Sequence, residues 1–259
     1  MKCRICSADT SPIHRAVILD RHEIGYHICP VCEFMQTDDP FWLEEAYSSA
    51  ISCSDTGILS RNIFLASMTT SIIRFCCDRK SSFLDFGGGY GIFTRLMRDY
   101  GFDFHWHDKY AQNLFAKGFE ANMNSRYAAV TAFENFEHFL DPGKELETML
   151  QVSDFILFST ELRPSPAPKP ESWWYYCLEH GQHISFYTTK TLAWLAGKYG
   201  IHLQSNGKNI HIFSRKPVSR NIFLFEKIMR NSGLWKLLKS PSKTVSDMQQ
   251  IISTMQAKK

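Results

Sequence analysis

The residues Ser82-Phe-Leu-Asp85-Phe-Gly87-Gly88-Gly89-Tyr-Gly91 decide the fold of this 259-residue chain. A short apolar run containing one acid leads into a series of glycines, and an amphipathic segment, residues 92–100, follows. This order predicts a buried strand, a tight loop and a helix. Residues without a Cβ let the backbone turn sharply and approach a ligand closely. The stretch therefore predicts a ligand-binding loop at the carboxyl end of a strand.

Strand-like and helix-like segments alternate after this loop. Further strands are predicted at residues 102–107, 118–120, 127–133 and 154–160, and helices at residues 111–116, 142–150 and 188–199. Two more short strands, 201–204 and 210–214, flank a Ser-Asn-Gly-Lys turn and predict an antiparallel hairpin. Strands that alternate with helices indicate an α/β fold, a doubly wound parallel sheet covered on both faces.

A second acid, Asp108, follows the strand next to the glycine loop. An acid in this position can accept hydrogen bonds from both hydroxyls of a ribose. The loop departs from the dinucleotide fingerprint G-x-G-x-x-G because Ile92 takes the place of the third glycine. The sequence also contains no Tyr-x-x-x-Lys pair. Both observations argue against an NAD-dependent epimerase or reductase.

The pattern Asp85-x-Gly87-x-Gly89-x-Gly91 resembles the first motif of class I S-adenosylmethionine-dependent methyltransferases. The resemblance implies a Rossmann-like sheet of seven strands that ends in an antiparallel hairpin, with S-adenosylmethionine as the cofactor. It assigns all four of these residues, together with Asp108, to cofactor binding. In this assignment Asp85 lies near the cationic end of the cofactor and Asp108 binds its ribose.

Two Cys-x-x-Cys pairs, Cys3 with Cys6 and Cys29 with Cys32, lie near the N-terminus. The first residues, MKCRICSADT, contain no apolar export signal, so we expect a reducing, cytoplasmic location. In such a compartment this spacing favours a metal over disulfides. Four thiolates suit a structural, tetrahedral zinc ion, which would supply the folding energy of so short a segment. We therefore predict a small zinc-binding module at residues 1–38.

A second candidate site follows the fifth predicted strand and a proline-rich loop. It reads Trp173-Trp174-Tyr175-Tyr-Cys-Leu-Glu179-His180-Gly-Gln-His183. Consecutive aromatic side chains in a loop either fill the core or form the wall of a pocket, so we predict that Trp173, Trp174 and Tyr175 contact the substrate. A histidine beside a carboxylate can act as a general base near neutral pH.

The arrangement Glu179-His180-x-x-His183 resembles a block of zinc-containing sugar C-methyltransferases in which the first histidine is a proposed base. The resemblance implies that His180 takes the proton of the methyl acceptor and that Glu179 or His183 orients it. Tyr47 resembles a tyrosine that precedes the fold in such enzymes, and we predict that it covers the cofactor. Glu137-His138 resembles a segment that follows the fourth strand of many small-molecule methyltransferases, and we interpret it as a helix-capping and packing pair.

The charge distribution bears on the substrate. The net charge is +3, yet the chain from Arg215 onward contains ten Lys or Arg residues and two acids, so contact with a polyanion is confined to this tail. Enzymes that methylate base nitrogens usually carry Asn/Asp-Pro-Pro-Tyr/Phe after the fourth strand, where this chain has Glu134-Asn135-Phe136. These features favour a small-molecule acceptor, a sugar or nucleotide sugar included, over nucleic acid. The alternatives are an RNA methyltransferase that uses the zinc module and the basic tail, and a catalytically silent cofactor-binding module.

Four regions are predicted along the chain. The zinc module, residues 1–38, precedes a helical linker or cap, residues 39–80, and the methyltransferase domain spans residues 81–216. Residues 217–259 form a basic amphipathic tail. The sequence contains no apolar run of about 18 residues, so no membrane span is expected. The oligomeric state stays open.

Overall fold

A computed structural model describes residues 1–47 and 55–257 of the chain. The strands are β1 (Ser11–Ile18), β2 (His22–Ile28), β3 (Met35–Thr37), β4 (Ser82–Phe86), β5 (Asp103–His107), β6 (Ala129–Ala132), β7 (Phe155–Ser159), β8 (Ser185–Phe186), β9 (His202–Ser205) and β10 (Ile210–Ser214). The α-helices are α1 (Leu43–Ala46), α2 (Ile58–Cys76), α3 (Ile92–Asp99), α4 (Pro142–Val152), α5 (Thr189–Tyr199), α6 (Ile222–Asn231) and α7 (Thr244–Ala257).

The main sheet has six strands in the order β5-β4-β6-β7-β10-β9. The glycine loop follows β4, which pairs in parallel with β5 and β6. The strand β10 runs antiparallel to β7 and β9, so the sheet ends in the expected hairpin. Because the sequence alternates strands and helices, this mixed α/β fold with a parallel centre is the one that it predicts.

Two local predictions in this region are wrong. The seven-stranded sheet is not found, since the described residues give six strands and residues 118–120 add a single isolated bridge, Trp106 with Glu120. The described residues 111–116 form no helix. The physical reason is that N–H groups of this segment have partners outside a helix. Those of Leu114 and Phe115 donate to the carbonyl of Tyr90 at 3.0 Å, and that of Ala116 donates to Oδ1 of Asn113 at 2.9 Å. Donors captured in this way cannot make the regular backbone bonds of a helix.

The chain divides into two compact units. The unit that contains the glycine loop comprises residues 55–131, Val152–Asp154 and the tail up to residue 257. Within it, Arg98 on α3 is 2% exposed and binds Asp247 on α7 through two hydrogen bonds of 2.8 Å. Arg98 also donates to Asp103 at 2.8 Å. The tail is thus anchored to this unit by a buried ion pair.

The other unit comprises the N-terminal residues up to 47, Ala132–Gln151 and Phe155–Pro217. Its second sheet has the order β1-β2-β3-β8, so the predicted N-terminal module is completed by a strand near residue 185. The pairing of β3 with β8 places Met35 opposite Phe186. Tyr26, Trp42 and Tyr176 join them in one buried cluster, and this shared core explains why the module does not stand alone.

Both ends of the helix α5 are fixed by residues that lie next to them in the sequence. The hydroxyl of Thr188 accepts a hydrogen bond from the N–H of Thr191, and Gly200 ends the helix with φ of +61°. Both ends lie within one residue of those of the helix predicted at residues 188–199. Among the helices of the described residues, none combines the length and the apolar character needed to cross a membrane.

Candidate functional site

The thiols of the two Cys-x-x-Cys pairs lie together. All four Sγ atoms are within 4.8 Å of one another, with 3.6 Å between Cys3 and Cys32 and 3.4 Å between Cys6 and Cys29. A tetrahedral zinc ion with Zn–S distances of about 2.3 Å spaces its sulfur ligands by about 3.8 Å. The four cysteines are free rather than joined in disulfides. Their donor set and spacing fit a structural zinc ion.

The two cysteine turns have the same backbone shape. The N–H of Ser7 donates to the carbonyl of Cys3 and the N–H of Glu33 donates to that of Cys29, both at 2.9 Å. Ser7 and Glu33 have φ of +61° and +62°. The hydrogen bond between the thiols of Cys3 and Cys32 lowers the pKa of Cys3 and raises that of Cys32, so the two thiols share one proton.

In the other unit, the glycine loop leaves the sheet after β4. Gly87, Gly89 and Gly91 have φ of +67°, +53° and +86°, a region that L side chains rarely adopt. A Cβ added to Gly91 would lie 2.9 Å from Oδ1 of Asn113, so this glycine serves close packing. A Cβ added to Gly89 would meet nothing within 4 Å. Gly89 is therefore the place where a ligand can approach the backbone.

Asp108 and Trp106 fix the position of Gly89. Oδ2 of Asp108 accepts the Gly89 N–H at 2.9 Å, and Nε1 of Trp106 donates to the Gly89 carbonyl at 2.8 Å. Because Oδ1 of Asp108 accepts two further N–H groups, the carboxylate already holds the loop, and its remaining lone pairs are those that a ribose hydroxyl would use. Trp106 was not foreseen from the sequence, where an indole in a strand indicates only core.

Asp85 is 3% exposed and makes its hydrogen bonds inside the protein. Its Oδ2 accepts from the hydroxyl of Thr94 at 2.8 Å, and its Oδ1 accepts from that of Thr131 at 3.2 Å. Burial raises the pKa of Asp85 to about 7, and the two hydroxyls oppose this effect. A Cβ on Gly88 would lie 2.8 Å from Oδ2 of Asp85, so the acid also packs against the loop.

The Glu-His block, residues 179–187, lies in the unit that contains the four cysteines and contacts residues 136–139 there. The N–H of Ile184 donates to the carbonyl of Glu137 at 2.9 Å, and the hydroxyl of Ser185 donates to that of Phe139 at 2.7 Å. These bonds bring together two segments that the sequence separates by about 40 residues. As a result Glu137 and His138 belong to the same cluster as the predicted catalytic histidines.

Three histidine rings lie in this cluster. The centroids of His138 and His183 are 4.9 Å apart, and those of His180 and His183 are 5.3 Å apart. Nδ1 of His138 is 3.1 Å from the carbonyl oxygen of Gln182, and Nδ1 of His183 is 2.7 Å from that of Tyr175. A carbonyl only accepts, so Nδ1 of both rings carries the proton and Nε2 carries the lone pair.

His180 has the opposite arrangement, because its Nδ1 accepts the N–H of Gln182 at 3.2 Å. Burial lowers the pKa of His138 to about 4 and that of His183 well below its usual value. Both rings are therefore neutral at pH 7. Burial raises the pKa of Glu137 to about 8, and the negative charge of Glu134 adds to this rise.

A family model described as a methyltransferase domain matches residues 61–206, more than half of the chain. The chain belongs to this methyltransferase-domain family. Membership implies S-adenosylmethionine as the methyl donor. No curated protein sequence matches the chain.

Solved structures similar to this chain show low sequence identity to it. A 1,6-didemethyltoxoflavin-N1-methyltransferase of Burkholderia thailandensis, with S-adenosylhomocysteine bound, is 14% identical with a TM-score of 0.48, and the match covers 80% of this chain and 100% of that one. The pyocyanin biosynthetic protein PhzM is 14% identical with a TM-score of 0.44, covering 66% and 61%. The mitomycin 7-O-methyltransferase MmcR is 11% identical with a TM-score of 0.43, covering 68% and 60%. The match spans about three fifths of the length of the last two proteins.

The other residues that the sequence predicts for the substrate and catalytic sites differ in their exposure and contacts. Tyr175 is 2% exposed and its hydroxyl accepts the N–H of Glu161 at 3.0 Å. Trp173 is partly buried, whereas Trp174 is 71% exposed. Glu179 is exposed. The ring of Tyr47 lies 6.1 Å from that of His138, so this tyrosine borders the histidine cluster of its own unit.

Glu137 is the residue whose importance the sequence did not indicate. We interpret it from the sequence, with His138, as a capping and packing pair, yet it is fully buried and no donor in the described part of the chain meets hydrogen-bond geometry at its carboxylate oxygens. The hydroxyls of Tyr175 and Thr160 lie close enough to lower its pKa. A buried acid in an apolar setting is costly unless something compensates it. The sequence signal that was available is the run Glu134-Asn135-Phe136-Glu137-His138 directly after a buried strand.

Proposed function

We propose that the protein transfers a methyl group from S-adenosylmethionine to a small-molecule acceptor. The observation that carries the proposal is the open space at Gly89, in a positive-φ loop held by Asp108, in a chain of the methyltransferase-domain family. Bound there, the cofactor would supply an electrophilic methyl group on a sulfonium centre. Gly87 and Gly89 would let it approach the backbone, and Asp108 would accept hydrogen bonds from its ribose.

The role of Asp85 is proposed in a narrower form than the resemblance implies. Its carboxyl group is buried and bonded to two threonine hydroxyls, so it supports the loop from beneath and acts on the cationic end of the cofactor only through its charge. The negative charge of Asp85 beneath the loop favours a cationic ligand such as S-adenosylmethionine. The same charge would repel the pyrophosphate of a dinucleotide.

A calorimetric comparison tests the cofactor assignment directly. S-adenosylhomocysteine should bind much more tightly than NAD to the purified protein, since the loop lacks the third glycine of a dinucleotide site. Equal or tighter binding of NAD would rule out the assignment. The acceptor is then sought by incubating protein and S-adenosylmethionine with nucleotide sugars and free sugars, and by looking in mass spectra for the gain of one methylene unit.

Small-molecule acceptors are proposed because of two features of the chain. The segment Glu134-Asn135-Phe136 stands where base-methylating enzymes carry a different motif. The net positive charge is confined to the tail, whose Asp247 is anchored by Arg98 of α3 within its own unit. Sugars and nucleotide sugars are the proposed class, from the resemblance of Glu179-His180-x-x-His183 to sugar C-methyltransferases.

We propose His180 as the base that takes the acceptor's proton. To take a proton at Nδ1, His180 must give up the 3.2 Å hydrogen bond from the Gln182 N–H, because a protonated Nδ1 no longer accepts. His180→Ala should lower kcat by about 10²–10⁴-fold while the affinity for S-adenosylhomocysteine stays unchanged. Glu179→Gln is the matched control, because it removes the charge of the neighbouring carboxylate and leaves the imidazole of His180 in place. Wild-type turnover in His180→Ala would move the assignment to His183 and then to His138.

A structural zinc ion on Cys3, Cys6, Cys29 and Cys32 is the second part of the proposal. Four thiolates leave no open coordination position, so this ion has no part in methyl transfer. Elemental analysis of Cys32→Ser should show one zinc fewer per chain than the wild type. An unchanged zinc content would show that the cysteines are not ligands.

A further inference from the structure

A second group of metal-ligating side chains lies in the unit that holds the Glu-His block. The ligand atoms of Glu137, His138 and His183 are all within 4.8 Å of one another. Zinc bound to nitrogen and oxygen at about 2.0–2.1 Å spaces its ligands by about 3.3 Å, so small side-chain rotations would close the set. Two histidines and one carboxylate are a common ligand set for zinc and for Fe²⁺.

The two histidines are already oriented as ligands. Each donates its Nδ1 proton to a backbone carbonyl, of Gln182 for His138 and of Tyr175 for His183. Metal-bound histidines almost always make such a bond with the ring nitrogen that does not bind the metal, because it fixes both tautomer and ring plane. Because Nδ1 carries the proton, the lone pair of each neutral ring is on Nε2.

Glu137 supplies an independent observation. It is 0% exposed, and no donor among the described residues meets hydrogen-bond geometry at Oε1 or Oε2. The hydroxyls of Tyr175 and Thr160 lie close enough to lower its pKa, but they do not offset the effect of burial. A buried carboxyl group normally has well-placed partners for its oxygens. A divalent cation between Glu137 and the two Nε2 atoms would compensate both oxygens and both lone pairs.

We propose that Glu137, His138 and His183 bind a divalent first-row transition metal such as Zn²⁺, at a site separate from the four cysteines. His180 lies beside His183 but is not a ligand, because its Nδ1 is an acceptor for a backbone N–H and its neutral Nε2 therefore carries the proton. Three protein ligands leave a coordination position open. An oxygen of the acceptor would bind there, a role that rests on the proposed methyl transfer, whereas the metal site itself does not.

Metal content tests the site without any need for turnover. The wild-type protein, saturated with Zn²⁺ and separated from free metal, should contain two zinc ions per chain by elemental analysis. Glu137→Gln and His138→Gln should each contain one, because two remaining ligands hold zinc weakly. The matched control Glu179→Gln changes an exposed carboxylate of the same block and should keep two.

The variants can be checked for folding by circular dichroism, and His138 offers a safer position because it is partly exposed. If a variant unfolds, imidazole ¹⁵N spectra of the wild type decide, since Zn²⁺ should shift the Nε2 signals of His138 and His183. One zinc per wild-type chain, or spectra that Zn²⁺ leaves unchanged, would overturn the proposal. Failure to detect methyl transfer with two zinc ions bound would count against the proposed function and not against the metal site.

Discussion

The glycine loop and the Glu-His block each contain a buried acid, and the two acids are satisfied in different ways. Asp85 accepts hydrogen bonds from Thr94 and Thr131, so the loop is complete without a ligand at that carboxyl group. Glu137 is equally buried, but within the described residues no donor meets hydrogen-bond geometry at its oxygens, and the nearby hydroxyls of Tyr175 and Thr160 only lower its pKa. Burial raises the pKa of both, to about 7 and about 8. A raised pKa alone therefore does not separate a supporting acid from a ligand; the presence of donors does.

The largest effect is expected where the loop meets its ligand. Gly89→Val should abolish measurable binding of S-adenosylhomocysteine in calorimetry, because its side chain would fill the open space at a residue with φ of +53°. Gly207→Val is the matched control, since Gly207 has φ of +77° and equal free space in a hairpin turn. Equal losses in both variants would mean that strain, rather than ligand contact, explains the effect.

A third buried acid, Asp247, extends the comparison to an acid paired with arginine. Asp247→Asn should lower the free energy of unfolding by about 3–5 kcal/mol in urea denaturation, because it leaves the buried charge of Arg98 with less compensation. Burial raises the pKa of Asp247, but Arg98 and Arg95 outweigh this and lower it, so the stabilisation should be lost as the pH falls below about 4. Asp154→Asn, at an exposed pair with Arg126, should change stability by less than about 1 kcal/mol.

Asp85 should show an intermediate effect with the opposite pH dependence. Asp85→Asn disturbs two buried hydrogen bonds and should cost about 1–3 kcal/mol. In the wild type, Asp85 holds its proton more tightly in the folded state, with a pKa of about 7, than in the unfolded chain. Its contribution to stability is therefore present below about pH 4 and is lost as the pH rises through 7. Unfolding measured between pH 4 and 8 should show this loss in the wild type and a smaller one in the variant.

The smallest effect on stability is expected at Glu137. In metal-free protein Glu137→Gln should change the free energy of unfolding by less than about 1 kcal/mol, because it breaks no hydrogen bond of the described structure. Added Zn²⁺ should raise the melting temperature of the wild type beyond that of the variant. A large destabilisation without metal would show that Glu137 has partners like those of Asp85.

Features encoded by neighbouring residues were predictable. The strand, loop and helix around Gly87–Gly91 and both ends of α5 depend on local backbone chemistry, so the sequence indicated them correctly. The helix predicted at residues 111–116 was wrong because its N–H groups bond to the carbonyl of Tyr90 and to the side chain of Asn113, which the apolar pattern does not reveal. Grouping of Glu137 and His138 with His183 could not be foreseen, since it depends on backbone bonds such as that from Ile184 to Glu137. Whether a buried acid has donors is a property of the folded chain.

The pairing of β3 with β8 has a consequence for biosynthesis. The cysteines leave the ribosome within the first 32 residues, but the strand that completes their sheet, Ser185–Phe186, is made about 150 residues later. This sheet therefore stays incomplete until most of the chain has been made, and a contact so distant in sequence forms slowly. Zinc bound early would hold these four thiols together during the delay and protect them from unwanted oxidation. Because β8 starts two residues after His183, loss of that zinc should also loosen the histidine cluster.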